Sequence, residues 1–266
     1  MKTTSYLIFQ ILTISTFAFG NEKKQPLPEV IINDADWPPY FFGKEPKKLG
    51  IGKEILQMCV PKAGYKPVFI FHPIERMVHN VQEGSIDLTV FGSVKDEKRR
   101  ERSTWSMFTT ETIFSATYKP VVAAKSNISI KSLQDLADIK LRLGLKQGLK
   151  FDKAYDDMVE MRRSKSALEN YNLTIQGIEK LTTHRMDVFV EHAESVSSIA
   201  KDNEKQDEIK ILPFVVKSSD YVVVVSNKSK AIADRVDFGR KLDLCISGLK
   251  KDGTYNSILN RYGIKP

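Results

Sequence analysis

Two short stretches of this chain hold groups that could grip an anion. Lys146-Gln147-Gly148 precedes a helix expected from about residue 151, whose unpaired N–H groups and dipole could meet a carboxylate. The glycine and lysine spacing of a phosphate-binding P-loop is absent there. Gly92 and Ser93 follow an expected strand over 86–91, where backbone N–H groups can also face an anion. Arginine suits a carboxylate because its planar fork donates two parallel hydrogen bonds. Arg99, however, lies in the charged run 95–102, which by composition alone reads as a solvated helix face. Trp37, beside Pro38 and Pro39, offers an apolar face and cation–π attraction.

Other chemistries find less support. The four histidines, His72, His79, His184 and His192, form no pair with a recognised metal spacing, and both cysteines are isolated, so no metal site and no cofactor are expected. There is no Gly-x-Ser-x-Gly elbow and no evident Ser/His/Asp set, so no catalytic residue is assigned. Cys59 and Cys245 permit one disulfide or two buried thiols. Sequons begin at Asn127, Asn172 and Asn227 and matter only in a eukaryotic secretory host.

The elements that must position these residues alternate. A β-run at 30–32 leads to a polar, Pro-rich loop, and Ile51, Ile55, Met58 and Cys59 recur at helical spacing before Pro61 and Gly64. Strand 68–71, helix 74–82 and strand 86–91 follow, then a long β-rich stretch over 112–124. A second series comprises strand 139–145, helices 151–163 and 175–183, strand 187–190 and helix 192–201. A buried strand at 221–225 and helices near 230–249 and 254–262 end the chain. Such alternation predicts parallel pairing in two α/β lobes.

The 266 residues are 41% hydrophobic and 28% charged, which is enough apolar material for packed cores and excludes a disordered chain. The net charge of +8 would suit nucleic acid only if the two shared a compartment. Residues 1–20 argue against that: Lys2, an apolar stretch from Tyr6 to Phe19 and Ala18-Phe19-Gly20 form an export signal cleaved after Gly20. No cysteine follows that would carry a lipid anchor. The expected product is a periplasmic monomer without nucleic-acid partners.

Four segments together resemble the family 3 extracellular solute-binding proteins, which feed polar amino acids to ABC importers. They are Asp34-Ala35-Asp36-Trp37-Pro38-Pro39-Tyr40-Phe41, Gly84-Ser85-Ile86-Asp87 followed by Arg99, and Gly144-Leu145-Lys146-Gln147-Gly148. The fourth is Arg185-Met186-Asp187 with 188–191, followed by Asp252-Gly253-Thr254-Tyr255-Asn256. The likeness runs from Val30 to Gly263. It implies a two-lobed type II periplasmic-binding fold with a parallel-rich sheet in each lobe and a ligand cleft between. Lobe one would hold 28–112 plus 226–266, lobe two 119–218, with crossing strands near 114–121 and 221–225. Cys59 and Cys245 would then share a lobe, which favours a disulfide.

The same resemblance implies a small polar ligand, held from lobe one by Asp34, Trp37, Arg76, Gly92, Ser93 and Arg99. Lobe two would add Lys146, Gly148, and Glu191 or His192. The sequence departs from the family pattern at His192, where an Asp is usual, at Ile74, and at Val94 and Leu149. The solute implied is an amino acid or related carboxylate, and Arg76, Arg99, Lys146 and Lys150 nearby make an anionic one a hypothesis to test. The partner implied is an ABC permease in the inner membrane. Two alternatives share the scaffold: a stand-alone sensor with a degenerate pocket, and a periplasmic lyase or dehydratase using Glu191 and His192 for acid–base work.

Overall fold

The computed structural model describes residues 26–43, 45, 47–92, 104–147, 151–165 and 167–264. The export signal over 1–20, Ser93, Val94, Arg99, Gly148, Leu149 and Lys150 lie outside the described residues, as does the side chain of Ile74.

The first half of the fold grows from β1 (Glu29–Asp34), whose alternating side chains serve two faces. Val30 and Ile32 enter a core with α1 (Ile51–Lys62), and Ile31 packs on a separate cluster beneath α2 (Ile74–Glu83). Two small strands, β2 (Asp36–Trp37) and β3 (Phe41–Phe42), pair antiparallel across a cis Pro38–Pro39 bond. β4 (Lys66–Phe71) and β5 (Leu88–Gly92) flank β1, both parallel to it. Gly50 caps α1 at φ +82, and a Cβ there would meet the Tyr40 carbonyl oxygen at 2.6 Å, so only glycine fits.

β6 (Ser106–Ala123) then runs eighteen residues out of this half into the next. There α3 (Leu133–Leu136) precedes β7 (Leu143–Lys146), α4 (Lys153–Ser164), β8 (Leu168–Tyr171), α5 (Thr174–Thr182), β9 (Val188–His192) and α6 (Ala193–Asp202). β8, β7 and β9 pair parallel, and β10 (Ile209–Ile211) adds to β6. β11 (Lys217–Ser226) returns alongside β6 and joins β5 antiparallel, and α7 (Arg235–Lys251) and α8 (Thr254–Arg261) close the first half. The strand order β4-β1-β5-β11-β6-β9-β7-β8 makes one continuous sheet whose two halves are linked through β11 and β6.

Four apolar clusters coat it. Two, under α1, α7 and α8 and under α2, belong to the first half. The other two, under α3 and α4 and under α5 and α6, belong to the second. Each half therefore has its own two-sided core, and β6 and β11 are the strands they share.

Local differences from the sequence expectations have identifiable causes. The strand expected over 139–145 begins only at Leu143, because Asp138 to Leu141 form a turn whose carbonyls bind the buried Arg162 guanidinium. The last long helix starts at Arg235 and not near 230, because the Asp234 side chain caps it by accepting from the Asp237 amide at 2.9 Å.

Cys59 on α1 and Cys245 on α7 are joined by a disulfide, with Cα atoms 5.5 Å apart. Their separation of 186 residues makes the cross-link large in entropic terms. Cys59→Ser/Cys245→Ser should lose stability up to an upper figure of about 5 kcal/mol in urea unfolding. A loss under about 1 kcal/mol would show that the bond adds little.

Candidate functional site

The two halves face each other where β2 and β9 end. Trp37 stands on β2, and its ring lies 4.8 Å from that of His192, the last residue of β9. It also lies 4.7 Å from Tyr221 of β11, 4.8 Å from Tyr40 and 5.4 Å from Phe114 of β6. Tyr40 stacks on Phe114 at 4.0 Å, and Tyr118 lies 3.8 Å from His192. An aromatic column thus runs from one half, along the shared strands, into the other. The Tyr221 hydroxyl and His192 Nε2 are 3.3 Å apart. Further out, Lys48 bridges to Asp202 of α6 at 3.3 Å, an exposed pair of small worth.

Lobe two places a polar cluster at the carboxyl ends of its parallel strands, where α/β sheets commonly bind ligands. Glu191 is 1% exposed. Its Oε2 lies 2.7 Å from Lys146 Nζ and accepts from Thr174 Oγ1 at 3.4 Å, and its Oε1 accepts from the His192 amide at 3.1 Å. Burial alone would raise the Glu191 pKa, but the Lys146 charge and the bonds from His192 and Lys146 hold it down to about 2. For His192, burial outweighs the raising effect of Glu191 and pushes the imidazole below its usual pKa, so it is neutral at pH 7.

Lobe one shows a matching arrangement. Asp34 ends β1 and bonds Lys53 Nζ of α1 at 2.6 Å, with both side chains buried. Burial raises the Asp34 pKa by more than Lys53 lowers it. Asp34 Oδ1 and the neighbouring Asn33 Oδ1 are buried without a hydrogen-bond partner among the described residues.

The expected residues fall into three groups. Trp37, Glu191 and His192 gather at the junction, with His192 turned to Trp37 and Glu191 turned inward to Lys146. Asp34 and Lys146 sit at the ends of their strands, but each is bonded to a group of this chain. Gly92 ends β5 opposite Tyr221, and Arg76 is exposed in the first turns of α2. Sequence reasoning missed Lys53, Thr174, Tyr118 and Tyr221. Lys53 had a readable signal, because Leu56 and Val60 stand three and seven residues on, along the same buried stripe. A groove of about 430 Å³ between the start of β6 and α7, walled by Met107, Gly239, Asp243 and Leu244, involves none of these residues. Among the described residues no cluster of His, Cys, Asp or Glu is arranged to hold a metal ion.

The sequence profile of the bacterial extracellular solute-binding proteins, family 3, matches residues 30–265, and the chain belongs to that family. No curated protein matches it significantly. Many solved structures share the fold. One is the arginine-, lysine-, histidine-binding protein ArtJ from Geobacillus stearothermophilus, at 16% identity and TM-score 0.65, covering 90% of this chain and 96% of that one. The substrate-binding protein AbpA from Streptococcus pneumoniae, bound to L-arginine, has 17% identity and TM-score 0.64, covering 88% and 93%. A histidine kinase sensor domain similar to periplasmic binding proteins has 16% identity and TM-score 0.67, covering 90% and 98%. At these identities the likeness shows the two-lobed fold alone. No helix among the described residues is long and apolar enough to cross a membrane.

Proposed function

We propose that the protein captures a small polar solute, an amino acid or a related carboxylate, between its lobes and delivers it to an ABC permease in the inner membrane. The observation that carries this reading is the contact of Trp37 from one half with His192 from the other, beside Tyr221 of a shared strand. A solute that touches both sides of such a junction favours closure, because only the closed state satisfies all its contacts. The lobes are taken as 28–112 plus 226–266 and 119–218, following an export signal removed after Gly20. Ligand contacts are assigned to Asp34, Trp37, Arg76, Gly92, Ser93, Arg99, Lys146, Gly148, and Glu191 or His192. ArtJ and AbpA support the solute class by what they bind. The sensor domain supports a second reading, in which the closed form reports to another chain.

Tryptophan emission tests this directly, since the chain has two tryptophans. In Trp105→Phe, Trp37 is the sole reporter and should give a saturable change on adding a solute that binds. Unchanged Trp37 emission with a solute that raises the melting temperature would place binding elsewhere and refute the assignment.

A further inference from the structure

The lobe-two cluster has the geometry of a bound alkylammonium ion, except that the ion is attached to the chain. Lys146 Nζ lies 2.7 Å from Glu191 Oε2 and donates to Thr174 Oγ1 at 3.1 Å. Lys146 reaches this position from the last residue of β7, with its side chain 29% exposed, while Glu191 is 1% exposed. In the same lobe the hydroxyls of Tyr155 and Tyr171 are buried with no hydrogen-bond partner among the described residues, and the Glu191 charge raises the pKa of both phenols. The buried Glu191 carboxylate and the Thr174 hydroxyl form a seat for a compact cation. A lysine ammonium is such a cation, with three donors on a flexible stem.

We propose that Lys146 is a built-in occupant of a cation seat formed by Glu191 and Thr174, and that it sets the class of solute this protein accepts. The inference rests on the solute-capture reading for its consequence, and on the ion pair alone for its geometry. With the seat filled, a solute cannot place a cationic side chain against Glu191. In lobe one Lys53 pairs with Asp34 at 2.6 Å. The accepted solutes are therefore carboxylates with no net positive charge, and arginine-like solutes are excluded. Lys146 acts here as a specificity-determining residue.

Chemical rescue tests the seat without any solute. Lys146→Ala should melt about 5–10 °C below the unmodified chain, because it leaves a buried carboxylate unpaired. Millimolar n-butylammonium chloride should restore much of that loss, whereas sodium chloride at equal ionic strength should not. The unmodified chain and Lys146→Ala/Glu191→Gln should not respond to the amine. If the alanine variant fails to fold, Lys146→Gln is the second host, expected to bind n-butylammonium about tenfold more tightly than the unmodified chain. Absence of any amine effect in a folded host overturns the proposal. Rescue in a chain that captures no solute would refute the proposed function and leave the seat standing.

Discussion

Arg162→Met should remove about 4 kcal/mol of stability, the largest loss expected from a single side chain outside the site. Arg162 is fully buried on α4, and its guanidinium donates to the carbonyls of Leu136 at 2.9 Å, Asp138 at 2.6 Å, Ala167 at 2.9 Å and also Leu141. It ties the end of α3, the turn before β7 and the loop before β8 into one unit. Methionine fills part of the volume but leaves the carbonyls of Leu136, Leu141 and Ala167 without that donor, while the Asp138 carbonyl keeps the Leu141 amide at 3.1 Å. Each unsatisfied buried group costs about 1–3 kcal/mol, with some relief from water entry. The control is Arg163→Met, one residue on, whose exposed side chain pairs with Glu160 and should cost under about 0.5 kcal/mol. Equilibrium urea unfolding of both variants checks this. Equal losses would mean that these carbonyls are satisfied without the guanidinium.

The second large effect is on acid stability. The folded-state pKa of Glu191 is near 2, against about 4.5 for an ordinary glutamate. A depressed carboxylate contributes stability that is complete above the unfolded pKa and is lost as pH falls through the folded one. The contribution here is about 3 kcal/mol, lost between about pH 4.5 and pH 2. His192 works in the same direction at higher pH. Its folded pKa lies below 6.5, so the unfolded chain binds the proton first and stability falls as pH drops below 6.5. Unfolding midpoints measured from pH 7 to pH 2 should show both stages. Glu191→Gln should flatten the lower stage and His192→Gln the upper, each with reduced stability at pH 7. A profile unchanged below pH 4.5 in Glu191→Gln would assign the acid loss to the half-buried carboxylates Asp187, Glu169 and Asp237, whose pKa values are also lowered by ion pairs.

The elements with strong periodicity were readable from the residues. Ile51, Ile55 and Cys59 marked α1, and the run from Tyr221 to Val225 marked β11, because their burial is uniform along one face. β8 was not readable, since Leu168-Glu169-Asn170-Tyr171 is half-exposed and contributes only Tyr171 to a core. β10 is a three-residue edge strand with little burial and left no signal. At the site, the family pattern implied Trp37 on one side and Glu191 or His192 on the other, and no local rule brings Trp37 against His192. The Lys146–Glu191 pair spans 45 residues and forms because β7 and β9 are parallel neighbours. No spacing rule covers such a pair, so Lys146 was read as a cation open to an anion rather than as the partner of Glu191. The Asp34–Lys53 pair was missed because a lysine in an amphipathic helix is ordinarily taken as solvated, whereas here it lies on the buried stripe.

The central claim, capture of a small polar solute between the lobes, is tested most directly by a thermal-shift screen of residues 21–266. The protein should first be unfolded and refolded to strip any co-purified solute, then exposed in parallel to acidic and neutral amino acids, small dicarboxylates, arginine and lysine. A solute at about 100 times its Kd stabilises by roughly 2.7 kcal/mol, which is about 5–10 °C for a chain of this size. The account predicts such a shift with at least one carboxylate lacking net positive charge, none with arginine or lysine, and its loss in Trp37→Ala. A strong shift with arginine would contradict the specificity drawn from Lys146. No shift with any solute would contradict capture itself.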